Sequence, residues 1–265
     1  MSTVNAKGTA LITGASSGIG ATYAERLARR GYDLLLVARD QARLEALAAR
    51  LREESGVGVE VLRADLTQRA DLAAIEQRLR DDSSITLLLN NAGVAFNGTL
   101  AEADPDGLDT LIQLNIVALT RLASAGAAGF GKRGRGAIIN LGSVVALIPE
   151  NFNAAYAATK AYVLSLTQSL NAEVSGLGVQ VQAVLPGATR TEIWERSGLD
   201  LNAFPAEMVM DAGDMVDAAL AGFDQAELVT IPSLPNAADW QAVVAARLAL
   251  GPNLSLRNAA DRYKA

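Results

Sequence analysis

Short apolar runs alternate with longer amphipathic stretches along almost the whole chain. Gly8 to Ile12, Tyr32 to Ala38, Val57 to Leu62, Thr86 to Leu89, Gly136 to Leu141 and Val179 to Leu185 have strand length, and Glu227 to Ile231 is a shorter seventh. Their apolar positions are consecutive rather than alternate, as in strands of a parallel sheet covered on both faces. Between them, Leu44, Leu47, Ala48 and Leu51 mark one helix face, and Leu72, Ile75 and Leu79 another. Further helical runs reach about Arg30, extend from Leu108 to Phe130, run from Asn153 to about Gly176, and cover Asp214 to Phe223. Strand–helix alternation of this kind predicts an α/β fold with a doubly wound parallel sheet of about seven strands, binding ligands at its carboxyl edge. No linker, repeat or low-complexity stretch interrupts it, so the expectation is one domain over residues 1–265. The mixed segment at about 188–212, with Thr191, Trp194, Phe204 and Pro205, reads as a lid, and Trp240 to Leu250 is a last apolar run.

Composition narrows the chemistry. The chain has neither cysteine nor histidine, which removes disulfides, thiol nucleophiles, Cys/His metal sites and imidazole-based triads. Proton transfer must then use tyrosine, lysine or carboxylates. With 29 acidic against 23 basic residues and no basic stripe, the sequence argues against a nucleic-acid partner. The start, Met1 to Gly8, is short and polar without a signal-peptide hydrophobic region, and no apolar run reads as a membrane span. The expectation is a cytoplasmic protein without membrane association.

The first strand runs into Thr13-Gly14-Ala15-Ser16-Ser17-Gly18-Ile19-Gly20 and then a helix. That is the context of a phosphate-binding loop: glycines let the backbone approach a pyrophosphate, and the helix N-terminus offers free N–H groups. Ala38 and Arg39 follow the second strand, where such folds read the adenosine ribose. A guanidinium there suits a 2′-phosphate and favours NADP(H) over NAD(H). Asp40 reads as the N-cap of the next helix. Asp65-Leu66, beyond the third strand, could hold the adenine amino group or simply cap a loop. Asn90-Asn91-Ala92-Gly93 closes the fourth strand, and Asn115 interrupts a long apolar helix, where a buried amide is either a structural or a functional hydrogen-bonder. Gly142-Ser143 closes the fifth strand. Tyr156 and Lys160, four apart, share one helix face, and an adjacent ammonium is expected to lower the tyrosine's pKa.

In order along the chain, Thr13-Gly14-x-x-x-Gly18-x-Gly20, Asp65, Asn90-Asn91-Ala92-Gly93, Asn115, Ser143, Tyr156-x-x-x-Lys160 and Pro186-Gly187 resemble the short-chain dehydrogenase/reductase family, compact single-domain branch. The resemblance covers nearly the whole chain. It implies an NADP(H)-dependent oxidoreductase acting on CH–OH/C=O groups. Tyr156 would be the acid–base residue, Lys160 would hold the nicotinamide ribose, Ser143 would bond the substrate oxygen, and Asn115 would keep a water in a proton relay. Gly14, Ser16, Ser17, Gly18, Ile19, Gly20, Arg39, Asp65, Leu66, Asn91, Ala92, Gly93, Pro186, Gly187, Thr189 and Thr191 fall at cofactor-binding positions, Thr191 at the nicotinamide carboxamide. Two residues depart from the pattern. Ser17 stands where some NADP-preferring members carry a basic residue, and Thr189 replaces an aliphatic one. Val145, Phe152, Ile193, Trp194 and Phe204 are the expected apolar pocket for a small-molecule ketone or aldehyde. Two helices apolar nearly all round, with the family's pairing of such helices, imply a homodimer or homotetramer. Rival readings are a cofactor-binding regulatory protein with little turnover, an NAD-dependent alcohol dehydrogenase, and a non-redox epimerase or dehydratase. The last usually needs a longer C-terminal domain than the roughly 80 residues after Pro186.

Overall fold

The computed structural model describes residues 7–95, 97–198 and 200–264. The polar N-terminal stretch therefore lies outside the described residues except for Lys7 and Gly8. The chain packs as two compact units, one running to Pro232 and the other spanning Ser233–Ala265.

In the first unit, β1 (Thr9–Thr13), α1 (Gly18–Arg29), β2 (Asp33–Ala38), α2 (Gln41–Ser55), β3 (Val59–Arg63), α3 (Arg69–Asp81) and β4 (Ile85–Asn90) follow in strict alternation. Then come α4 (Pro105–Ile112), α5 (Leu119–Arg133), β5 (Gly136–Leu141), α6 (Ala154–Val174) and β6 (Val179–Val184). A short pair, β7 (Thr189–Arg190) and β8 (Met210–Asp211), flanks the four-residue α7 (Ile193–Arg196). The unit ends with α8 (Ala212–Asp224) and β9 (Val229–Thr230).

Seven strands form one parallel sheet in the order β3-β2-β1-β4-β5-β6-β9. The order reverses between β1 and β4, and the crevice at that switch point is where such sheets take ligands. The predicted doubly wound α/β sheet is observed. Each face carries a core. Ile12, Leu34, Leu36 and Leu89 pack with α1, α2 and α8 on one side, and Leu11, Leu35, Val37 and Leu88 pack with α3 and α5 on the other. Alternate residues of one strand thus enter opposite cores, which is why the strands read as continuous apolar runs.

The expected single helix from Leu108 to Phe130 is instead α4, a π-helical turn over Gln113–Ala118, and α5. One extra residue enters the ladder there, and Asn115 lies inside it. The stretch Pro105–Arg133 is, by length and composition, apolar enough to cross a membrane, which corrects the sequence reading. Its buried positions, including Leu111, Ala118, Leu122 and Phe130, are spent on the core of the unit. Asp40 caps α2 as expected, accepting from the Arg43 amide at 3.0 Å.

The second unit consists of α9 (Ala237–Ala249), capped by Asn236, and short turns to the end. Leu248, Leu254, Leu256 and Tyr263 are exposed on it.

Candidate active site

The glycine-rich turn owes its shape to backbone that only glycine adopts cheaply. Gly14 and Gly18 have φ of +66° and +53°. A side chain on Gly20 would drive into the Gly14 carbonyl and the Asn91 amide. Ser17 is the N-cap of α1, yet its hydroxyl makes no capping bond, so the first amides of α1 remain directed at the crevice. Thr13, absent from the sequence-derived site, organises this edge. Its buried hydroxyl donates to the Leu89 carbonyl (3.2 Å) and accepts from the Asn91 and Ala92 amides (3.0 and 3.1 Å). The Asn91 side chain donates to the Thr13 and Gly14 carbonyls at 2.9 and 3.2 Å. Asn91 thus holds the loop, and its amide is committed to protein.

At the ribose end, Arg39 is exposed immediately past β2. Burial opposes charging of Asp65, but bonds from the Thr67 amide (3.0 Å) and hydroxyl (2.8 Å), helped by the Arg39 and Arg63 charges, hold its carboxyl below the usual range. Leu66 beside it is buried.

Tyr156 and Lys160 lie on the first turns of α6. Asn153 sets that start: its side-chain oxygen accepts from the Tyr156 amide at 3.0 Å. The helix thus begins at Asn153, as the sequence predicts, with asparagine in its favoured N-cap role. The Lys160 ammonium is 5.6 Å from the Tyr156 ring centroid and donates to the Leu141 carbonyl at 3.0 Å. Lys160 is buried and Tyr156 partly exposed. The expected lowering of the tyrosine's pKa does not occur. Burial pushes the Tyr156 phenol up to about 12 and the Lys160 ammonium down to about 8. Desolvation by the surrounding protein outweighs the neighbouring charge, which lies over the ring face and is engaged by a carbonyl.

Ser143, at the end of β5, donates to the Pro186 carbonyl at 3.4 Å and accepts from the Val145 amide at 3.3 Å. The turn it begins, Val144–Ala146, packs against α6, the helix that carries Tyr156 and Lys160. Asn115 is buried, and both ends of its amide are satisfied. Its oxygen accepts from the Val94 amide at 2.9 Å, and its nitrogen donates to the Val94 carbonyl (2.9 Å) and the Thr159 hydroxyl (3.3 Å). Thr159, also missed in the sequence, donates in turn to the Tyr156 carbonyl at 2.8 Å. Asn115 therefore staples the loop after β4 to α6. The π turn around it leaves main-chain groups outside the ordinary ladder, a feature frequent at functional sites.

The segment after Pro186-Gly187 returns over this edge. Thr189 is buried, its hydroxyl donating to the Gly187 carbonyl at 3.1 Å. A side chain on Gly18 would meet Thr191 at 3.2 Å, so this segment begins in contact with the glycine-rich turn. The Trp194 indole N–H donates to the Thr189 carbonyl at 2.7 Å, and its ring meets Phe204 edge-on with centroids 5.2 Å apart. Ile193, immediately before Trp194, is partly exposed. Val145 is buried, and Phe152 is 37 % exposed without a ring partner among the described residues.

Residues 8–202 match the short chain dehydrogenase family. Among solved structures, the chain is 59 % identical to a short-chain dehydrogenase from Sphingobium yanoikuyae in complex with NADPH. That likeness covers 97 % of this chain and 100 % of the other, with a TM-score of 0.94. It is 51 % identical to the bulky-bulky ketone specific alcohol dehydrogenase from Comamonas testosteroni, over 97 % and 99 % of the two chains, with a TM-score of 0.90. An uncharacterized oxidoreductase from Staphylococcus saprophyticus is 30 % identical over 84 % of this chain and 93 % of its own length. With the phosphate-binding turn, the Tyr156–Lys160 helix and the Ser143 turn meeting at one sheet edge, and the family matched over most of its length, the chain belongs to the short-chain dehydrogenase/reductase family of oxidoreductases.

Proposed function

We propose that this protein is an NADP(H)-dependent carbonyl reductase and alcohol dehydrogenase for bulky hydrophobic ketones. The observation that carries the reading is the Lys160 ammonium lying 5.6 Å from the Tyr156 ring centroid while it bonds the Leu141 carbonyl, two residues before Ser143, in a sheet whose glycine-rich turn leaves the α1 amides without a side-chain cap. The residues present suit a dinucleotide. Gly14, Gly18 and Gly20 form a cradle that a Cβ would fill, the α1 amides are free of a side-chain cap, and Arg39 is exposed at the ribose position. Gly14 to Gly20, including Ser16 and Ile19, would hold the pyrophosphate, Asp65 and Leu66 the adenine, and Ala92, Gly93, Pro186, Gly187, Thr189, Thr191 and Lys160 the nicotinamide half. The NADPH-bound Sphingobium relative supports this choice. When bound, the cofactor supplies the hydride.

The chain's own task is one proton. At neutral pH the Tyr156 hydroxyl stays protonated, because burial pushes its pKa to about 12, and it is the donor to the carbonyl oxygen during reduction. Ser143 Oγ bonds the same oxygen and stabilises charge developing there. Lys160 orients the nicotinamide ribose and, with an ammonium brought down to about 8, returns a proton toward Tyr156. Asn115 acts as a positioning residue, fixing the loop after β4 against α6 next to Tyr156. Trp194 and Phe204, joined edge-on, form the apolar side of the lid and exclude water from the reacting atoms. The ketone-specific Comamonas relative supports a bulky substrate.

The test is an absorbance screen at the nicotinamide band, NADPH against NADH, over ketones and aldehydes graded by size. Turnover with NADPH and diaryl or branched ketones is expected. Turnover confined to NADH, or to small polar aldehydes, would overturn the assignment. We also assign a homodimer or homotetramer, supported by Ile112, exposed, and Ile116, Val117 and Leu166, partly exposed, on the helices that the family pairs. Light scattering giving a monomer at micromolar concentration would refute it.

A further inference from the structure

β2 and β3 run in parallel with Ala38 opposite Arg63, and the Ala64 amide donates to the Ala38 carbonyl at 2.9 Å. That register brings Arg63, the last residue of β3, to the carboxyl edge beside Arg39, the first residue past β2. Arg63 is two residues from Val61, so it falls on the sheet face covered by α1 and α2, the face of the helix that begins at the glycine-rich turn. Both arginines are exposed. Among the described residues neither makes an ion pair or a hydrogen bond, whereas Arg43, Arg50 and Arg78 on the neighbouring helices α2 and α3 all have carboxylate partners. The two carboxylates nearest in sequence are committed elsewhere: Asp40 to the Arg43 amide and guanidinium, Asp65 to Thr67. The charges of Arg39 and Arg63 both reach Asp65, so the three groups share one patch.

We propose that Arg39 and Arg63 together clasp the ribose 2′-phosphate of the cofactor, Arg63 being a second determinant of NADP(H) over NAD(H). The proposal rests on the reading of Arg39 as the 2′-phosphate residue and adds a partner to it. A dianionic phosphate has oxygens enough for two guanidinium forks, and the 2′-hydroxyl of NAD(H) has no charge to use them. Serine at position 17, where a basic residue could have served, leaves the second cation to β3.

The experiment is calorimetric titration of wild type, Arg39→Ala, Arg63→Ala, Arg63→Lys and the double alanine variant with adenosine 2′,5′-bisphosphate and with 5′-AMP. These ligands differ only in the 2′-phosphate, and no turnover is involved. Arg63→Ala should weaken the bisphosphate roughly tenfold or more and leave 5′-AMP unchanged, with part of the loss recovered in Arg63→Lys. The double variant should bind both ligands alike. Wild-type discrimination in Arg63→Ala, or equal weakening of both ligands, overturns the role of Arg63. If Arg39→Ala still loses discrimination in that case, the reading of Arg39 stands. If neither variant loses it, both fall.

Discussion

Around the glycine-rich turn, Asn91 donates to the Thr13 and Gly14 carbonyls, and Thr13 bonds Leu89, Asn91 and Ala92. These are short bonds among buried or partly buried groups of two neighbouring strands. In the segment from β7 to β8, besides the edge-on contact of Trp194 with Phe204, the side chains are tied by ion pairs: Glu192 with Arg43 (2.7 Å) and Arg196 (2.5 Å), and Arg190 with Asp211 (3.0 Å). All are exposed, where water and salt screen them. The first region is fixed by bonds whose loss would leave polar groups buried, and the second, apart from the Trp194 contacts, by ion pairs that can be exchanged with solvent at little cost. A cofactor common to a family suits a rigid edge, and a substrate that must enter and leave suits the looser one.

Four measurements would break or sharpen that contrast. The largest effect is expected at the chemistry itself. Tyr156→Phe should lower turnover roughly 10²–10⁴-fold while NADPH affinity stays near wild type; unchanged turnover would remove Tyr156 from the mechanism. Next, Gly20→Ala pushes a methyl into the Gly14 carbonyl and should cost about 1–3 kcal/mol, read as a lower urea midpoint together with weakened NADPH binding. If both stayed at wild-type values, the edge would be far more pliant than its bonds suggest. The third is a pH dependence. Lys160 falls from 10.5 to about 8 on folding, so the unfolded chain binds more protons between those values and stability from this group rises with pH across that window. Tyr156 rises from 10 to about 12, and its contribution is lost as pH climbs through that range. Cofactor-free protein should therefore gain stability from pH 8 toward 10, and Lys160→Met should lack the gain. Smallest is Glu192→Gln, which should leave the melting midpoint unchanged yet shift KM for a bulky ketone; a marked loss of stability would mean the segment from β7 to β8 is not the looser region.

Much of the site was legible because it is local. Gly14, Gly18 and Gly20 announce a turn, Asp40 a cap, and Tyr156 and Lys160 a shared face, each from spacing along a few residues. Ser143 and Asn115 were recognised through their order in the family. What the pattern concealed depends on residues far apart in the chain. Thr13 opens the loop motif in the sequence, but its bonds to Leu89, Asn91 and Ala92 exist only once β4 lies beside it, and Thr159 reads as a helix residue until Asn115 reaches it. The five pocket residues were chosen for being apolar, a property shared by core and surface, and the edge-on contact of Trp194 with Phe204 is a pairing that the pattern does not encode.

The sequence by itself determined the parallel sheet and the position of the phosphate-binding turn, and it singled out Tyr156 and Lys160 as the acid–base candidates, since periodicity and the absence of histidine and cysteine left few alternatives. Tertiary structure decided the rest. The strand register set Arg63 beside Arg39. The π turn committed the Asn115 amide to protein. The depth of α6 in the fold raised the Tyr156 pKa where an adjacent ammonium suggested a fall. Register, burial and desolvation are properties of segments brought together from across the chain, and spacing within any one segment does not encode them.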